Sequence, residues 1–119
     1  MNKNPPATTP AAQPSRPPAW DVLEQALTQR RTVRARYHGH ERLLCPHTLG
    51  WKNGRAKTLA YQASGTTSAG TLPPSPRQRW RSMFIDDIED PTITDHDWQT
   101  ADNYTADTTG IDTLIVEVS

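Results

Sequence analysis

An Asn53-Gly54 pair between two segments of strand-forming residues constrains the fold of this chain more than any other feature. Asn and Gly both tolerate the positive φ values that a two-residue hairpin turn requires. The pair therefore predicts an antiparallel hairpin, with one strand over residues 41–51 and the next over residues 55–62. Pro46 interrupts the first strand, and because proline cannot donate to a strand ladder, it predicts a bulge or a bend there.

Periodic patterns on both sides of the hairpin predict the remaining elements. Residues 20–31 carry apolar side chains at helical spacing, which predicts one short helix that must pack against another element. Further strands are predicted at 32–37, at 80–85 and near 113–118. Residues 63–79 are rich in Gly, Ser, Thr and Pro, and loops of this length in compact domains tend to be functional or mobile. One helix followed by four or five short strands predicts a mainly β fold, a small bent antiparallel sheet or barrel.

The distribution of proline and cysteine indicates how the chain is organised. Six of the eleven prolines lie in the first 18 residues, so 1–18 is predicted to be a disordered arm. Residues 19–90 are predicted to form the domain, and 91–119 an acidic tail that contains the last strand. No apolar run approaches the roughly 20 residues that span a bilayer, and the N-terminus lacks the apolar region of a signal peptide. The single Cys45 excludes an intrachain disulfide, and a cytoplasmic location is expected.

The charges are sorted along the chain. All thirteen Lys and Arg residues lie at or before Arg81, and ten of the thirteen acids lie at or after Asp86. The formal net charge of zero therefore combines two halves of about +10 and about −10. A basic body attracts anions such as phosphate backbones. Folding could instead interleave the two halves into an ordinary mixed surface, and the sequence leaves both outcomes open.

A series of short motifs resembles one known family in order and spacing. The family is the WYL domain, and the resemblance covers about residues 22–90, with the closest likeness to small stand-alone members. The motifs are Tyr37 with Gly39, Arg42, Cys45-Pro46-His47, Leu49-Gly50, Leu59-Ala60-Tyr61-Gln62, Trp80-Arg81 and Met83-Phe84-Ile85-Asp86.

The resemblance implies an Sm-like, SH3-type barrel that is not an enzyme. It implies a module that senses a ligand or binds nucleic acid, of the kind found in bacterial transcription regulators and phage-defence proteins. Two departures concern the surface that is proposed to contact nucleotides. Lys57-Thr58-Leu59 stands in place of the Trp-Tyr-Leu run, and Asp87 stands in place of an arginine.

Basic and aromatic residues alternate along the predicted strands, which is the expected composition of a groove that binds single-stranded nucleic acid. Bases stack on aromatic rings, and phosphates pair with the forks of arginine side chains. Alternation places Arg81 on the same side of its strand as Met83 and Ile85. The candidate binding residues are Arg42, Arg55, Tyr61, Trp80 and Arg81.

Metal binding and catalysis are not predicted. If His40 and Cys45 lie on one extended strand they are about 16 Å apart, too far to share a tetrahedral zinc site. No phosphate-binding glycine loop, nucleophile elbow or ligand triad accompanies the acids near the end of the fourth predicted strand. No cofactor is expected. The residues considered for these roles are His38, His40, Cys45 and His47 for zinc, and Asp86, Asp87, Glu89 and Asp90 for catalysis or a cation.

Three hypotheses about partners follow. The first is a WYL-like module that binds single-stranded nucleic acid or a nucleotide-like anion. The second is a protein-interaction adaptor that docks a partner through its strand edges and the 63–79 loop, and the departures at Lys57, Thr58 and Asp87 favour it. The third is an acidic segment that folds over the basic face and gates it. A homo-oligomer is also compatible with exposed strand edges. The acids of the gating hypothesis are Asp95, Asp97, Asp102 and Asp107.

Overall fold

The protein is described from a computed structural model, which covers residues 16–104 and 111–118. Most of the arm predicted at 1–18, and Asp107 in the acidic tail, lie outside the described residues. The described part consists of one helix followed by seven strands, so the prediction of a mainly β fold with one preceding helix is confirmed. The elements are α1 (Ala19–Gln29), β1 (Thr32–Tyr37), β2 (His40–Lys52), β3 (Arg55–Thr67), β4 (Gly70–Thr71), β5 (Trp80–Phe84), β6 (Ile88–Thr94) and β7 (Thr113–Glu117), with short 3-10 turns at Pro76–Gln78 and Ile85–Asp87.

The sheet is antiparallel and strongly bent, and it does not close into a barrel. Its main path runs β4, β3, β2, β1 and β6, while β5 pairs with β3 and β7 pairs with β2. The two longest strands therefore each pair with three others: β2 with β1, β3 and β7, and β3 with β2, β4 and β5. The register between them shifts at Leu43/Leu44 and again at Pro46/Thr48. The second shift is the bulge that Pro46 predicts, and bulges of this kind bend a strand.

The predicted hairpin turn is confirmed. Asn53 and Gly54 both have positive φ, at 50° and 81°, and they join β2 to β3 with Lys52 opposite Arg55. His38 and Gly39 repeat this conformation, with φ values of 50° and 81° between β1 and β2. Both turns match the right-handed twist of the strands that they connect.

Two parts of the predicted organisation are corrected. The stretch predicted as a loop at 63–79 begins as strand, because β3 continues to Thr67 and turns into the short β4. Gly65 makes this continuation possible, since a Cβ there would lie 2.2 Å from the Glu41 carbonyl oxygen. The acidic tail also contains a strand that was not predicted, β6, which pairs with β1. Its Pro91 is tolerated because β6 lies at the end of the sheet path, where one edge needs no donors.

Helix α1 packs on one side of the sheet, which we call the inner face. Trp20, Leu23 and Leu27 are at most 1% exposed and belong to one apolar cluster with the inward residues of the strands. The Trp20 ring stacks on Trp51 of β2, with 5.4 Å between centroids. The helix ends at Arg30, which adopts the left-handed conformation. In the described part of the chain, no helix is long and apolar enough to cross a membrane.

The sorted charges meet across the fold. Apart from Arg16–Glu24, every ion pair between a Lys or Arg and an acid in residues 16–104 and 111–118 joins a base from the first half to an acid from the second. The surface therefore interleaves the two signs, and what remains of the basic face is the set of arginines outside these pairs. The pairs are Arg31–Asp95, Arg36–Glu89, Arg36–Asp90, Lys52–Asp112, Arg55–Asp86, Arg55–Asp87 and Arg77–Asp102.

Candidate functional site

Two of the candidate arginines point into the inner face of the sheet. Arg42 lies opposite Ala35 of β1, and Arg81 lies opposite Ala60 of β3. Both alanines are buried in the apolar cluster, and residues opposite each other in an antiparallel pair share a face. Arg81 also shares its side of β5 with the buried Met83, as alternation predicts. The two guanidinium groups are therefore directed into the concave side of the sheet rather than to the outer surface.

Arg42 is almost completely buried, with 4% of its surface exposed. One Nη donates to the Tyr37 carbonyl at 3.2 Å, and the other donates to Gln62 Oε1 at 3.4 Å. The guanidinium carbon lies 5.2 Å from the centroid of the Tyr37 ring, a cation–π distance. The Nε of Arg42 has no hydrogen-bond partner in the part of the chain that the structure describes. Such an unpaired buried donor costs free energy, of the order of 1–3 kcal/mol.

Arg81 repeats this pattern at the next strand. Its Nη1 donates to the carbonyls of Gln78 and Trp80, at 3.2 and 3.0 Å, while its Nε is buried and has no hydrogen-bond partner within residues 16–104 and 111–118. Burial lowers the pKa of Arg81. Burial also lowers the pKa of Arg42, and the nearby charge of Arg81 lowers it further. Neither arginine forms an ion pair with an acid in residues 16–104 or 111–118.

We call Arg42 and Arg81 the inner arginine pair, and Gln62 connects Arg42 to the backbone. It is fully buried, and its Nε2 donates to the carbonyls of Ser64 and Thr66, both at 3.1 Å. These bonds fix the amide so that its oxygen faces Arg42. The pair is thus held by neutral groups that accept hydrogen bonds but do not neutralise its charge.

Tyr61 and Trp80 lie on the opposite side of the sheet, which we call the outer face. Their rings meet edge to face at 5.3 Å, and Trp80 also meets His47 edge to face at 4.7 Å. Tyr61 is only 2% exposed, so its ring is not open to a base in this conformation. Trp80 is half-buried, and its Nε1 donates to Asn103 Oδ1 at 2.9 Å.

His47 occupies the centre of the outer face in its neutral form. Its Nδ1 lies 2.7 Å from the Cys45 carbonyl, which can only accept, so Nδ1 is the donor. Its Nε2 then accepts from the Thr100 hydroxyl at 2.9 Å. Burial lowers the pKa of His47, and the charge of Arg30 lowers it further, against the opposing effect of the Cys45 carbonyl.

The segment 95–104 covers this face. Trp98 stacks on His47 with 4.9 Å between ring centroids, and Tyr104 lies 5.4 Å from the Trp80 ring. The backbone N–H of Gln99 donates to Cys45 Sγ at 3.3 Å. Cys45 is fully buried beneath this segment, and burial raises the pKa of its thiol to about 11.

Arg55 stands apart from both groups. It is half-exposed and pairs with Asp86 at 2.8 Å and with Asp87 at 3.5 Å. Its guanidinium carbon lies 3.7 Å from the centroid of the Phe84 ring. Asp87 therefore contributes to neutralising Arg55.

The structure thus divides the five candidate residues among three places. Arg42 and Arg81 are brought together on the inner face, Tyr61 and Trp80 on the outer face, and Arg55 joins neither. Three residues that complete these groups, Gln62, Trp98 and Tyr104, were not predicted as binding residues. Alternation along the third strand places Gln62 on the same side as the buried Ala60, so its inward position could have been predicted. For Trp98 and Tyr104 the only signal is that they are aromatic residues in an acidic segment. The five candidates are Arg42, Arg55, Tyr61, Trp80 and Arg81.

Comparison with protein-family models, with curated proteins and with solved structures gave no match for this chain. The resemblance to the WYL domain therefore stays a prediction. Within the described residues, no group of three or more His, Cys, Asp or Glu side chains is arranged to hold a metal ion.

Proposed function

We propose that this protein is a non-enzymatic, WYL-like module that senses an anionic, nucleotide-like ligand through Arg42 and Arg81. The observation that supports the proposal is the inner arginine pair: two adjacent guanidinium groups directed into the concave side of a sheet, with no carboxylate of the described residues paired to either. Burial of like charges without a counter-charge is unfavourable. A phosphate or carboxylate would supply that counter-charge.

The donors that remain define how an anion would be held. Among the described residues the Nε groups of both arginines have no hydrogen-bond partner, and an arginine Nε with its neighbouring Nη forms one of the two edges that bind an anion in bidentate fashion. Arg81 is half-buried, so it provides the side from which a ligand would enter. Arg42 is fixed by Tyr37 and Gln62, and this preorganisation reduces the entropy lost on binding.

The test is titration of the purified, nuclease-treated protein with pyrophosphate and ATP by calorimetry, at about 50 and 200 mM salt, since ionic contacts to phosphate weaken as salt rises. The variants are Arg81→Met, which removes the charge but keeps the length, and Arg34→Met, a matched control at an exposed arginine of β1. We expect Arg81→Met to weaken binding about tenfold or more, because a charged hydrogen bond contributes about 1.5–3 kcal/mol. Arg34→Met should retain the affinity of the parent protein.

A second readout uses stability without any ligand. Arg81→Met removes a repulsive charge next to Arg42 and should raise the melting temperature, whereas Arg34→Met should leave it unchanged. Equal loss of binding in the two variants, or no binding of either anion at the lower salt, would contradict the proposal.

A protein-interaction adaptor is the second candidate function, and one observation favours it. Leu114 and Ile115 of β7 are each 43% exposed, and β7 pairs only with β2 among the described strands. An open edge that carries exposed aliphatic side chains can accept a further strand. Stoichiometric co-purification of one protein, lost in Ile115→Lys but retained in Arg81→Met, would favour the adaptor over the anion sensor.

A further inference from the structure

Five aromatic rings form a continuous cluster on the outer face. His47 lies at its centre and contacts three of the others, at centroid distances of 4.7 to 5.1 Å. Three members belong to the sheet and two belong to the segment 95–104, which we call the cover. The cluster thus joins a fixed surface to a segment that lies across it. The sheet contributes His47, Tyr61 and Trp80, and the cover contributes Trp98 and Tyr104.

The cover makes the same kinds of contact that a single nucleic-acid strand would make. Trp98 stacks on His47, as a base stacks on an aromatic side chain, and the Tyr104 ring lies tilted against Trp80. The Asp102 carboxylate accepts two bonds from Arg77, at 2.8 and 2.9 Å, in the bidentate geometry with which arginine holds phosphate. The Asn103 amide oxygen accepts from Trp80 Nε1, a donor that can also reach a base carbonyl.

The cover lies outside the strands and is held to the sheet by side-chain contacts. The Arg77 and Asp102 side chains are 65% and 72% exposed, and exposed ion pairs contribute little to stability. Trp98 and Tyr104 are only half-buried. The chain before the cover is fixed by β6 as far as Thr94, and the chain after it is fixed by β7. Local opening of the cover would therefore leave the sheet intact.

We propose that the outer face binds single-stranded nucleic acid by displacing the cover, which occupies the same surface in cis. Bases would stack on Trp80 and His47, and a phosphate would replace the Asp102 carboxylate on Arg77. This inference goes beyond the proposed anion sensor, and it involves neither Arg42 nor Arg81.

The first measurement is hydrogen exchange of the full chain, with and without a saturating oligothymidylate. Displacement predicts faster exchange at the Gln99 amide, whose hydrogen bond to Cys45 Sγ would break. A ligand that simply bound on top of the cover would slow exchange there. Slower or unchanged exchange in residues 95–104 of the saturated complex would therefore overturn the proposal.

The second measurement is fluorescence anisotropy with the labelled oligothymidylate. Trp98→Ala removes a ring of the competing cover, so we expect about tenfold tighter binding, at a cost in stability limited to the local contact. Asp97→Asn is the control, because Asp97 is an exposed acid of the same segment whose side chain forms no hydrogen bond or ion pair with the described residues. Equal affinities of Trp98→Ala and the parent protein, or failure of every one of these proteins to bind, would overturn the proposal.

A third variant separates this proposal from the anion sensor. Arg81→Met should lose binding of pyrophosphate, while its affinity for the oligothymidylate stays within about twofold of the parent value. Trp80→Ala should lose binding of the oligothymidylate and keep its affinity for pyrophosphate. If oligothymidylate binding is lost in Arg81→Met and retained in Trp80→Ala, the strand binds at the inner arginine pair and the outer-face proposal is wrong.

Discussion

The two faces of the sheet use the same strands in different ways. The inner face is closed by α1, and its Leu23 and Leu49 are fully buried among aliphatic neighbours. The outer face is closed by the cover, and its central residue, His47, is held by hydrogen bonds and ring contacts. Alternation along β2 and β3 directs neighbouring residues to these two environments. The difference shows how a small domain can be stabilised mainly by the packing on one face of its sheet, while the contacts on the other face stay able to rearrange.

Matched leucine substitutions give the largest expected effect. Leu49 faces the inner cluster and Leu59 faces the outer side, at 0% and 7% exposure. We expect Leu49→Ala to lower the free energy of unfolding by about 3 kcal/mol, because the enclosed cavity cannot collapse. Leu59→Ala should lower it by about 2 kcal/mol, the low end of the range for such substitutions, since the outer layer can relax into the space. Urea denaturation measures both values, and equal losses would contradict the division between the faces.

Thiol reactivity of Cys45 tests the outer face directly. The intact protein should react slowly with a maleimide, because the thiol is fully buried and its pKa is raised to about 11. Trp98→Ala should speed the reaction about tenfold by increasing the fraction of molecules with an open cover. The inner-face variant Leu49→Ala, measured well below its melting temperature, should have a smaller effect. A faster thiol reaction in Leu49→Ala than in Trp98→Ala would show that Cys45 becomes exposed by global rather than local opening.

Acid should destabilise the protein by a smaller amount through His47. Its pKa in the folded protein is lowered from the ordinary 6.5, chiefly by burial, so the unfolded chain takes up the proton first as pH falls. The stability that neutral His47 provides is complete above about pH 6.5 and is lost as pH falls below that value toward the pKa of the folded state. The melting temperature should therefore fall between pH 7.5 and 5.5, and the fall should be shallower in His47→Gln. His96→Gln, at an exposed histidine, should keep the slope of the parent protein.

Local signals in the sequence were sufficient for most of the fold. The Asn53-Gly54 turn and the bulge at Pro46 depend on the conformations of single residues, and both were predicted correctly. Strand β6 was missed because its acids and Pro91 resemble a solvated tail, and only its pairing with β1 makes it a strand. The extension of β3 was missed for a similar reason, since Gly65 reads as a loop residue until Glu41 is placed against it.

The candidate site was harder to predict because it depends on contacts between distant segments. Alternation did assign Arg81 to the side of Met83, but it could not reveal that this side would also hold Arg42. The positions of Trp98 and Tyr104 on His47 depend on the path of a segment that has no periodic pattern of its own. Such contacts follow from the three-dimensional route of the chain and leave little trace in short sequence windows.

The pairing of early bases with late acids also has a consequence for how the chain is made. Translation delivers every Lys and Arg before any acid from Asp86 onward, so Arg31, Arg36 and Arg55 emerge before the carboxylates that neutralise them. Until then the nascent chain is a polycation close to ribosomal RNA, to which it is attracted without regard to sequence. A fragment that ends before Asp86 would keep that property permanently. Nucleic-acid binding by such a fragment would therefore report missing counter-charge rather than the binding behaviour of the folded protein.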